Sequence, residues 1–129
     1  MARILVVDDN TTLRMMMRET LEKAGHEVVE ACNGVEGIER AHAESFDLVI
    51  TDIIMPDKEG IETIIELRKS YPDLKIIAAS AGGKVNAEEY LETAKAFGAN
   101  LTLVKPFGRK DILQAVDKVL AGEAAQQSI

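Results

Sequence analysis

Ile4-Leu5-Val6-Val7-Asp8-Asp9, four apolar residues closed by two acids, is the stretch that decides the fold. It is too short for a buried helix and ends abruptly in charge, as a strand buried on both faces of a parallel sheet does. The pattern recurs along the chain. Leu48-Val49-Ile50-Thr51 closes on Asp52, and Leu74-Lys75-Ile76-Ile77-Ala78-Ala79 closes on Ser80. Leu101-Thr102-Leu103-Val104 closes on Lys105, which Pro106 follows. Amphipathic stretches of helical length separate these runs, so strands and helices alternate.

Strands are expected at residues 3–8, 27–31, 47–51, 74–79 and 101–104. The first helix carries Leu13, Met16, Met17, Thr20, Leu21 and Ala24 on one face and stops at Gly25. Asn33-Gly34 reads as a turn, followed by a second helix to about Glu44 with Val35, Ile38 and Ala41 inward. Met55-Pro56-Asp57 and Gly60 mark a loop, after which Ile61, Ile64, Ile65 and Arg68 trace a third helix. A fourth has Leu91, Ala94 and Phe97 in register and ends at Gly98; the last carries Ile112, Val116, Val119 and Leu120. This alternation predicts an α/β fold of the flavodoxin-like kind, a (βα)5 doubly wound parallel five-stranded sheet ordered 2-1-3-4-5. In such a sheet the order reverses between strands one and three, and ligands bind beyond the carboxyl ends there. Asp8, Asp9 and Asp52 terminate those two strands.

With 129 residues the chain reads as one domain over residues 1–121, and residues 122–129 read as a frayed tail. A native tail and the start of a linker fit that tail equally. The net charge of -7 and pI of about 4.8 argue against a nucleic-acid partner and against an anionic membrane surface. No apolar run has transmembrane length, and the N-terminal run is too short for a signal peptide. A single cysteine, Cys32, excludes an internal disulfide, and a cytoplasmic location is expected. Cys32 itself is expected to be semi-buried at the end of strand two.

Three carboxylates in one crevice repel one another unless a cation compensates them. Mg2+ suits the task, because it takes oxygen ligands and keeps several waters. Phosphoryl transfer needs the charge on the moving group neutralised and its geometry held. Mg2+ bridging Asp9, Asp52 and a phosphoryl oxygen, the Lys105 ammonium and the Ser80 hydroxyl form a complete set for that purpose. Asp52 is then the nucleophile and becomes an aspartyl phosphate.

Taken together, Ile4-Leu5-Val6-Val7-Asp8-Asp9-Asn10, Asp47-Leu48-Val49-Ile50-Thr51-Asp52-Ile53-Ile54-Met55-Pro56, Gly98-Ala99-Asn100 and Lys105-Pro106-Phe107 resemble the response-regulator receiver domain of two-component signalling. The resemblance runs from about Ala2 to Leu120. It implies Asp52 as phospho-acceptor, Asp9 as a direct Mg2+ ligand, Asp8 as a ligand through water, and the Ile54 carbonyl as a further ligand. It also implies Ser80 as switch hydroxyl, Lys105 as phosphate contact and a cis Lys105-Pro106 bond. A histidine kinase or histidine phosphotransfer protein would donate the phosphoryl group, and a downstream protein would read the changed surface. Such a domain catalyses its own phosphorylation and slow hydrolysis without turning over a separate substrate. Two departures stand out: Thr102 occupies the place of the usual switch aromatic, and the Ser80–Lys105 interval is a few residues longer than usual. The sequence is similar to a subgroup of receivers that stand alone, and its Gly82-Gly83 loop is the expected moving part.

The bland reading of Asp8-Asp9 is that they only cap the first helix. Ser80 alone would be a turn residue, and Lys105 alone a solvated lysine. Met15-Met16-Met17 reads as helix packing, and His26 and His42 as surface residues without metal-ligand spacing. Two rival functions are a protein-interaction module that works without phosphorylation and an aspartyl-nucleophile phosphohydrolase. The second would resemble Asp-x-Asp at a strand end; here Asn10 and Ile54 stand where the second acid would be.

Overall fold

The computed structural model describes residues 2–53, 59–81, 92 and 94–122. They form β1 (Arg3–Val7), α1 (Thr11–Lys23), β2 (Glu27–Ala31), α2 (Gly34–Ala43), β3 (Leu48–Asp52), α3 (Glu59–Ser70), β4 (Lys75–Ala81), β5 (Leu101–Lys105) and a C-terminal helix (Arg109–Leu120). The five strands are parallel and ordered β2-β1-β3-β4-β5, as expected. Of the expected fourth helix, Ala94 to Ala96 are described and helical; Leu91 and the Gly82-Gly83 loop lie outside the described residues.

Strand side chains alternate between two cores. Ile4, Val6, Leu48 and Ile50 face Met17 and Leu21 of α1 and Ile112, Val116 and Val119 of the C-terminal helix. Leu5, Val7 and Val49 face Ala41, Ile64 and Leu67 of α2 and α3. Because both of their faces are covered, the inner strands β1 and β3 show no polar alternation and read as continuous apolar runs, whereas edge strand β2 carries Glu27 and Glu30.

Several local expectations need correction. Val35 is 63% exposed rather than inward. The face of α2 that meets the sheet is Gly34, Gly37 and Ala41, because the helix lies so close to β1 that a Cβ on Gly37 would come 2.8 Å from the Val7 side chain. Asn33-Gly34 is a helix start, not a separate turn: the Asn33 side chain accepts from Glu36 N at 2.8 Å. Cys32 is exposed, since β2 ends at Ala31 and the chain bends away into that cap. Ala24 is exposed because it is the C-cap, beyond the last turn of α1. Phe97 is 46% exposed, in the turn that follows the helical residues.

Arg68 ties two connections together at the far edge of the sheet. From the last turn of α3 it donates to the carbonyls of Pro72 and Gly98, both at 2.7 Å, and to Asn100 Oδ1 at 3.0 Å. Asn100 Oδ1 also accepts from Ile76 N at 2.8 Å, so the starts of β4 and β5 are braced by one guanidinium. A cavity of about 760 Å³ opens at that same edge, lined by residues that include His42, Phe46, Tyr71 and Leu120. The carboxylates and Lys105 gather at the opposite edge.

Candidate functional site

Strand ends bring the polar residues together. Asp8 follows β1, Asp52 ends β3, Ser80 lies in β4 and Lys105 ends β5. One carboxylate oxygen from each of Asp8, Asp9 and Asp52 lies within 4.8 Å of the others. Asp8 is 1% and Asp52 5% exposed, whereas Asp9 faces solvent. Lys105 Nζ donates to Asp8 Oδ2 at 2.8 Å and to Asp52 Oδ2 at 3.1 Å. Burial alone would lower the Lys105 pKa; the hydrogen bond to Asp8 and the charges of Asp52 and Asp8 outweigh it and raise the pKa above the ordinary value.

Asp8 is held at every polar atom. Its N–H donates to Ala31 O at 3.1 Å, its Oδ1 accepts from Asn10 N at 2.8 Å, and its carbonyl accepts from Arg14 Nη1 at 2.6 Å. The capping task belongs to Asn10, whose side chain accepts from Leu13 N at 3.0 Å. Asp8 and Asp9 are therefore not the N-cap of α1. The Lys105-Pro106 bond is cis.

Ser80 is fully buried, and its Oγ makes no hydrogen bond among the described residues. A buried hydroxyl without a partner costs free energy. Ile54 lies outside the described residues. Thr102 is half-buried on β5.

Sequence reasoning missed what three residues do for the site, and it placed one of them, Gly60, in a loop rather than in α3. Gly60, in the first turn of α3, packs against the Asp52–Ile53 backbone; a Cβ there would stand 2.4 Å from the Asp52 carbonyl oxygen. Only the close approach makes it visible. The other two are Arg14 and Glu30, whose Nε and Oε1 are 3.0 Å apart. Arg18 braces the second oxygen of Glu30 at 3.0 Å. Burial opposes ionisation of Glu30, but the hydrogen bonds from Arg18 and Arg14 outweigh it and lower its pKa from the ordinary 4.5. A lowered carboxylate pKa means stability present above the ordinary value and lost as pH falls through the folded one. The stability gap between wild type and Glu30→Gln, read from urea unfolding, should therefore be present at pH 7 and close below pH 4.5. A gap that widened on acidification would contradict the pairing.

Comparison with known proteins identifies the family. The model of the response regulator receiver domain matches residues 4–117. The chain belongs to that family, the receivers of two-component signalling. It is 42% identical over 118 residues to the chemotaxis protein CheY of Thermotoga maritima, covering 91% of this chain and 96% of that one. It is 36% identical to the protein PilH of Pseudomonas aeruginosa over 122 residues, covering 95% of this chain and 100% of the relative. Among solved structures, the response regulator TrrA of Thermotoga maritima in complex with Mg2+–BeF superposes with a TM-score of 0.79 at 34% identity. That match covers 92% of this chain and 99% of the other. No helix among the described residues is long and apolar enough to cross a membrane.

Proposed function

We propose that this chain is a cytoplasmic phospho-acceptor switch. Asp52 takes a phosphoryl group from a histidine kinase or a histidine phosphotransfer protein, and a downstream protein reads the altered surface. The observation that carries the reading is the convergence of Asp8, Asp9, Asp52 and Lys105 at one edge of the sheet, with a buried Ser80 hydroxyl on β4 that has no partner among the described residues.

In the transfer, an Asp52 carboxylate oxygen bonds to phosphorus. The P–N bond of the donor phosphohistidine breaks, and its electron pair leaves with the imidazole nitrogen. The residues fit a hard divalent cation: the donors are all oxygen, they lie within 4.8 Å of one another, and three carboxylates face one ammonium. Asp8, Asp9, Asp52 and the Ile54 carbonyl would hold Mg2+, Asp8 through water. When bound, Mg2+ supplies neutralisation of the phosphoryl charge. TrrA, with its Mg2+–BeF complex, supports that assignment by likeness. Lys105 steadies a second phosphoryl oxygen, and the Ser80 hydroxyl donates to a third. The domain turns over no separate substrate.

The test is incubation with Mg2+ and a small acyl-phosphate donor, followed by intact mass. Wild type should gain one base-labile phosphoryl group and Asp52→Asn none. Equal labelling of the two proteins would move the acceptor elsewhere.

A further inference from the structure

We infer that Arg14 is a positioning residue for the acidic site and that Glu30, braced by Arg18, holds Arg14 in place. The inference rests on the phospho-acceptor reading above. Arg14 lies in the first turns of α1, with its side chain only 14% exposed. Its guanidinium spans two acceptors at once, the Asp8 carbonyl at 2.6 Å through Nη1 and Glu30 Oε1 at 3.0 Å through Nε. A planar fork of this kind does what a lysine ammonium cannot.

The Asp8 carbonyl belongs to the peptide that joins Asp8 to Asp9. The Asp8 carboxylate is already fixed by Asn10 N and Lys105, but Asp9 makes no side-chain hydrogen bond among the described residues. The direction of Asp9 therefore depends on the plane of the peptide before it. Pairing with β2 fixes Asp8 N through Ala31 O, and Arg14 fixes the carbonyl on the other side. Glu30 sits opposite Val6 in the β1–β2 register, one residue short of Ala31, so the same strand supplies both restraints. Arg18 Nη1 holds Glu30 Oε2 at 3.0 Å, and Arg18 Nε holds Glu22 at 3.1 Å, which completes an alternating chain of charges along α1.

The sign of one measurement separates this role from plain electrostatics. Arg14 is a cation near a cation site, so by charge alone its removal should tighten Mg2+ binding. Positioning predicts the opposite: Arg14→Met should weaken Mg2+ binding by roughly tenfold in a calorimetric titration, the scale at which groups that orient metal ligands act. Arg14→Lys, which keeps the charge and loses the fork, should recover only part. Glu30→Ala should weaken binding, while Glu30→Gln, which removes the same charge but keeps an acceptor oxygen, should retain most of it. In metal-free protein the amide resonance of Asp9 should shift in Arg14→Met, a change that loss of stability alone would not produce. Equal or tighter Mg2+ binding by Arg14→Met overturns the inference, whatever the Asp9 resonance does, and leaves the phospho-acceptor reading intact. If that variant does not fold, Arg14→Lys and the Glu30 pair decide it by the same readouts. Wild-type protein that takes up neither Mg2+ nor a phosphoryl group overturns both.

Discussion

Lys105→Met is expected to destabilise the metal-free protein by about 2–3 kcal/mol and to slow labelling of Asp52 by roughly a hundredfold or more. The stability effect follows from burial. Asp8 and Asp52 side chains are 2% and 6% exposed, and Lys105 is the cation placed between them. Breaking a buried pair by removing one partner costs about 3–5 kcal/mol, and the 17% exposure of Lys105 sets this case near or below the lower end. Addition of Mg2+ should close much of the gap, because a divalent ion compensates the same two carboxylates. On the proposed function the kinetic effect has a separate cause, the loss of a preorganised positive group where phosphoryl charge would develop. Urea unfolding with and without Mg2+, together with intact-mass time courses, measures both. A metal-free midpoint equal to wild type would show that water already carries the charge of this pair.

Gly60→Ala should cost about 2 kcal/mol or more, although residue preference points the other way. Alanine gains up to about 1 kcal/mol over glycine inside a helix, and less in a first turn. Here the added methyl would stand 2.4 Å from both the Asp52 carbonyl oxygen and Ile53 Cα. These are backbone atoms of a central strand end, which cannot swing aside as a flexible side chain would, so the clash outweighs the preference. Either α3 lifts from β3 or the Asp52 backbone moves. Both outcomes lower stability, and the second also lowers labelling of Asp52 per folded molecule. Thermal unfolding with labelling normalised to folded protein checks the prediction; a variant as stable as wild type would mean that α3 relaxes at no cost.

The strands and the charged residues that end them were legible in the chain because parallel strands covered on both faces leave a simple trace. Leu5 and Ile4 point to opposite cores, yet both are apolar, so the run is continuous and its end is sharp. Strand order then followed from the limited ways in which right-handed crossovers can assemble such units. Asp8, Asp9, Asp52, Ser80 and Lys105 were visible for the same reason, since each stands at or just past the end of its run.

Contacts between elements left no comparable trace. Val35 looks like a core residue by its side chain, but the close approach of α2 to β1 turns Gly37 inward and leaves Val35 in solvent. Cys32 and Ala24 were misplaced because both stand where a cap, not a periodic face, governs exposure. Arg14 and Glu30 are sixteen residues apart and carry ordinary surface chemistry; only the β1–β2 register brings them together beneath the Asp8 carbonyl. The sequence by itself determined the alternation of elements and which polar groups reach the edge, because burial and strand length are local signals. Tertiary structure alone decided how closely helices approach strands and which charges hold the site in shape, because those depend on distances between segments that no local pattern records.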